Sequence, residues 1–177
     1  MDALTGLLVF AQAFGALVGA IYAVHGELAY LRAARDGHID KAERVHLDAL
    51  ARGLRFGMTL LLLASLGLVI LAYASSTPIQ PALTSGYWSF LALALLVTFL
   101  SFALSRGRIS FSLGSAAVFT GWWFIVYLAF GRLPPLTLGA SVALYVVATA
   151  LFYVLLRFLR AFVLPSASWR NGEESKP

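Results

Sequence analysis

The residues best equipped for chemistry lie close together in the first third of the chain. His25, Glu27, His38, Glu43 and His46 supply imidazoles and carboxylates, which are ligands for transition metals and haem iron. Glu43 and His46 form a Glu-x-x-His pair. On a helix that spacing puts both side chains on one face, the arrangement used by di-metal carboxylate bundles. Such bundles need a second copy and two further glutamates, whereas here the pair occurs once, with Glu27 as the nearby acid. A single-metal or haem site built from His25, Glu27, Glu43 and His46 is the remaining form of that chemistry. Glu27 has a second role open to it. If this stretch folds back as an antiparallel hairpin, Arg52 comes within one helical turn of Glu27 and Arg55 within two. The cluster Glu27, Arg52, Arg55 would then be an ion pair, or a proton or cation site at a membrane boundary. No catalytic residues are identified. Cysteine is absent, and the three histidines stand apart from the serines of the apolar stretches.

The elements that must position these residues are membrane spans. Of 177 residues, 60% are hydrophobic and only 12% are charged, and the mean hydropathy is +0.85. A soluble domain of this size keeps too much surface in water to hide so much apolar area. Soluble enzymes, disordered chains and nucleic-acid modules are excluded on that ground. The expected fold is all-α, an integral membrane five-helix bundle. Its spans lie at about 4–24, 56–74, 88–104, 109–130 and 136–160, within a single domain of residues 1–165, followed by a polar tail at 166–177. Each apolar stretch is near the ~20 residues a helix needs to cross the hydrocarbon core. The runs are too continuous for the alternating strands of a barrel. The first stretch carries Asp2 and no base at its start, unlike a secretory signal, and is read as a retained span.

The charge of the connections alternates. Arg32, Arg35, Lys41, Arg44, Arg52 and Arg55 fall between the first two spans. Arg106 and Arg108 fall between the third and fourth, and Arg157, Arg160, Arg170 and Lys176 at or beyond the end of the fifth. Arg132 is the exception among 13 basic residues. The positive-inside rule therefore puts the N-terminus outside and the C-terminus in the cytoplasm, as an odd number of spans requires. The net charge of +5 and pI near 9.9 are topological and imply no nucleic acid. The arginine-, alanine- and leucine-rich composition fits a prokaryotic chain of the cell (inner) membrane.

The first two helices are expected to run on past the bilayer. No proline occurs before Pro78. Asp36-Gly37 offers a helix stop, with Gly37 at the left-handed position. Asp40 and Glu43 then form a capping box that opens the next helix. The result is a cytoplasmic hairpin over 25–55, with arms of about 33 residues or ~50 Å. Val24, Leu28 and Leu31 would face Leu47, Leu50 and Leu54 along its seam. Gly15 and Gly19 form one GxxxG and Gly53 and Gly57 another, spacings that let helices pack closely in lipid. Residues 36–43 also resemble the second half of an EF-hand loop. The first two ligand positions would be Arg32 and Ala34, which cannot bind calcium, so the turn-and-cap role accounts for the segment.

Three functions remain open. The first is a non-enzymatic subunit or interaction protein of a membrane complex, docking through the hairpin. The second is a small oligomeric solute or ion transporter or channel. The third is a metal- or haem-binding membrane protein. The expected partners are the lipid bilayer and either further copies or other membrane subunits. No cofactor is expected under the first two readings.

Overall fold

A computed structural model describes residues 2–33, 41–76, 80, 83–106, 108–131 and 137–163. Among the described residues the chain is all-helical. The helices are α1 (Asp2–Ala33), α2 (Lys41–Ala74), α3 (Ser85–Ser105), α4 (Phe111–Ala129) and α5 (Leu138–Val163). All five are long and apolar enough to cross a membrane, as in a multi-pass membrane protein. The turn and cap expected at Gly37 and Asp40, together with His38 and Arg35, lie outside the described residues, as does the side chain of Glu43.

Local chemistry fixes several helix ends. Thr84 caps α3 by accepting the Tyr87 amide proton at 3.3 Å, and Thr137 accepts that of Ala140 at 3.3 Å ahead of α5. Both satisfy amides that would otherwise be orphaned at a helix start. After α4, Gly131 takes φ +61°, the left-handed conformation that ends a helix and that glycine adopts without strain.

α1 and α2 form a long antiparallel pair of 32 and 34 residues, about 48 and 51 Å as ideal helices. Their register holds along the pair: Leu8 meets Gly67, Gln12 meets Ser65, Gly19 meets Gly57, and Tyr22 meets Gly53, each pair of numbers summing to 75–77. Gly57 permits the closest approach. A Cβ there would lie 2.8 Å from the Gly15 carbonyl oxygen and 2.9 Å from the Gly19 nitrogen. Gly19 serves a different neighbour as well, since its missing side chain makes room for the Trp122 ring on α4.

α4 is the hub of the bundle. It packs against α1, α3 and α5, while α2 scarcely touches α3. Trp122 and Ile125 of α4, Leu61 of α2 and Val97 of α3 are the largest fully buried apolar side chains among the described residues. α5 is the least buried of the five. It meets the bundle along one stripe, Tyr145, Phe152, Leu156 and Arg160, and turns Val146, Leu151, Val154, Phe158 and Phe162 outward.

Candidate functional site

The face Gln12, Ala16, Ala20, Ala23, Glu27 recurs every three to four residues along α1. Ala16, Ala20, Ala23 and Glu27 on it are buried. Glu27 retains only 8% of its surface. Leu28, expected in the hairpin seam, is instead 47% exposed. One residue turns a helix by about 100°, so with Glu27 facing inward Leu28 swings out.

The partner of Glu27 is Arg160 of α5, not Arg52 or Arg55. Arg160 Nη2 donates to both carboxylate oxygens, at 2.8 Å to Oε1 and 2.7 Å to Oε2. The same nitrogen donates to Ser115 Oγ at 2.6 Å, and Nη1 donates to Ser112 Oγ at 2.8 Å. Arg160 is 8% exposed. Its guanidinium lies 5.6 Å from the Tyr30 ring centre and 5.1 Å from that of Phe111. Those two rings stack at 3.8 Å. One cation thus ties α1, α4 and α5 together through a carboxylate, two hydroxyls and two aromatic faces. Arg160 Nε is buried and has no hydrogen-bond acceptor among the described residues.

The expected ion-pair cluster of Glu27 with Arg52 and Arg55 is therefore corrected. Arg52 and Arg55 are exposed, and Arg55 Nε turns back to the Ala51 carbonyl at 3.4 Å. An exposed arginine on a helix end keeps its hydration, whereas Glu27 faces the interior and can be neutralised only by a cation that is also buried. α4 brings that cation within reach by holding α1 and α5 on its two sides.

Among the described residues the metal candidates are not assembled into a site. His25 is exposed, with Nδ1 2.9 Å from the Ile21 carbonyl. His46 is exposed, and Glu27 is taken by Arg160. Among the described residues no three of His, Cys, Asp or Glu converge. The glycines Gly15, Gly19 and Gly57 do meet at the α1–α2 contact, while Gly53 lies against the Tyr22 ring.

A second polar contact lies at the other end of the α1–α2 pair. Gln12 Nε2 donates to Ser65 Oγ at 3.0 Å, and Ser65 Oγ donates to the Leu61 carbonyl at 2.7 Å. By contrast Thr59, Thr98, Ser101 and Thr120 bond to the carbonyl four residues back on their own helices, the usual resort of a hydroxyl in an apolar helix.

Known proteins add no identification. No family model, curated protein or solved structure matches the chain. Its chemistry has to be read from its own residues. Arg160, Ser112, Ser115, Tyr30 and Phe111 form a charge centre around the buried Glu27 carboxylate, and that arrangement can hold helices in place.

Proposed function

We propose that this chain is a non-enzymatic subunit or interaction protein of a complex in the cell membrane. It crosses the bilayer five times with its N-terminus outside and its C-terminus in the cytoplasm, and it docks through the cytoplasmic end of the α1–α2 hairpin. The observation that carries the proposal is the length and tightness of that pair. Arms of 32 and 34 residues exceed a ~30 Å hydrocarbon core by about 20 Å. Arg32 near the end of α1, Lys41, Arg52 and Arg55 in the first half of α2, Arg106 and Arg108 between α3 and α4, and Arg157 and Arg160 near the end of α5 alternate as successive spans require if they share one side, which supports a cytoplasmic position for that side. The Glu27–Arg160 pair supports a structural role over transport. Each charge is already neutralised and bonded, so neither is left to bind a moving ion.

The test is the size of the assembly isolated from native membranes in mild detergent. Replacing residues 34–40 with a Gly-Ser linker of equal length, in a protein that still unfolds cooperatively, is expected to reduce the particle to the bare chain and its lipid. An unchanged particle mass would refute docking through the hairpin.

A further inference from the structure

Between α1, α2 and the first turn of α3 lies an open cavity of ≈ 370 Å³. Gln12, Ser65 and Tyr87 are among its polar lining residues, and Val9, Leu68 and Leu71 contribute apolar walls. Gln12 is the unusual member. A carboxamide offers two protons and an accepting oxygen, and the bond to Ser65 uses one proton. Ser65 has already given its own proton to Leu61, so it has none to offer the Gln12 carbonyl. The second amide proton and the carbonyl therefore belong to a residue that faces the cavity inside an apolar span, where hydrocarbon cannot satisfy them. Among the described residues no charged side chain lines the cavity, so none of them would compensate the desolvation of a phosphate, carboxylate or ammonium group. Tyr87 stands in the first turn of α3, against Trp88, the aromatic pairing typical of a membrane–water boundary. From Thr5 to Gln12 the lining descends α1 by about 10 Å. A polar floor, apolar walls and an aromatic rim suit a small uncharged molecule that carries hydroxyls.

We infer that this cavity binds an uncharged hydroxyl-bearing ligand, a glycerol-type head whose hydroxyls bond to Gln12 and Tyr87. The inference is independent of docking through the hairpin. The same head chemistry occurs in a neutral glycerolipid and in a free polyol, so the probes are monoolein and glycerol.

The natural chain has no cysteine, which makes thiol protection a clean readout. Ser75 lines the cavity and Ser85 does not, and Ser→Cys is nearly isosteric at both. The full chain carrying Ser75→Cys, in phosphatidylcholine nanodiscs, is alkylated with N-ethylmaleimide. At twice its Kd a bound probe slows that reaction about threefold, with Ser85→Cys unaffected. Adding Gln12→Leu or Tyr87→Phe is expected to abolish the protection. Protection by monoolein alone assigns the lipid as ligand, and protection by glycerol as well assigns the free polyol. The proposal is overturned by no protection from either probe, by equal protection at both cysteines, or by protection that survives both Gln12→Leu and Tyr87→Phe.

Discussion

Glu27→Gln and Arg160→Met each break one buried ion pair, but they leave different things behind. Glu27→Gln strands a guanidinium that cannot lose its proton, between Ser112, Ser115 and two rings. Arg160→Met strands a carboxylate, which can take up a proton and become neutral. Removing one partner of a buried pair typically costs about 3–5 kcal/mol. Glu27→Gln is therefore expected near the top of that range and Arg160→Met near or below its lower end. The double substitution Glu27→Met with Arg160→Met leaves no buried charge. The two serines can turn their hydroxyls to their own helix carbonyls. The double variant should lie within about 1 kcal/mol of the natural protein. The assay is reversible unfolding in mixed micelles, followed by the fluorescence of the four tryptophans, of which Trp122 is buried in the core. Strong non-additivity, with the double variant more stable than either single one, is the required result. Additive losses, or single losses below about 1 kcal/mol, would show that the pair is solvated as surface pairs are and would refute the clamp.

The helix contacts make further predictions, read by the same unfolding assay. Gly57→Ala puts a methyl group against the backbone of Gly15 and Gly19 and should cost about 1–3 kcal/mol. Gly26→Ala meets nothing within 4 Å and should be neutral or stabilising by up to about 1 kcal/mol; equal effects at the two positions would contradict the α1–α2 register. Tyr145→Phe deletes the 2.9 Å bond from the Tyr145 hydroxyl to the Ala117 carbonyl and should cost about 0.5–1.5 kcal/mol. An Arg157→Met control is expected to change stability by less than about 0.5 kcal/mol, because Arg157 is exposed and off the packing stripe of α5.

Much of the architecture is legible in the sequence, because hydrocarbon permits so few solutions. A long apolar run without proline has to be a helix, and the small residues Gly15, Gly19 and Gly57 mark where two helices approach. The inward face of Glu27 is equally legible, since it continues a stripe of alanines at helical spacing. Its partner is not. Arg160 lies 133 residues away in sequence, and local periodicity carries no information about which distant helix packs on a given face. The hairpin alone would pair Glu27 with its own second arm, whereas α4 packs on α1 and on α5 and so presents Arg160 to Glu27. The signal lay in α5. Tyr145, Phe152, Leu156 and Arg160 recur at spacings of seven and four, so Arg160 continues the one stripe that α5 buries. Arg157, three residues earlier, falls off it. Leu28 shows the same limit from the other side. Its type suits a seam, but the neighbouring buried carboxylate sets the rotation of the helix.

Topology is the point on which the functional proposal rests, and single cysteines in this otherwise cysteine-free chain measure it directly. His46→Cys lies on the exposed surface of α2 near its start, and Ser85→Cys at the start of α3. With a membrane-impermeant maleimide, intact cells should label Ser85→Cys and leave His46→Cys unmodified, and inverted vesicles should give the reverse. Labelling of His46→Cys from outside intact cells would contradict a cytoplasmic hairpin.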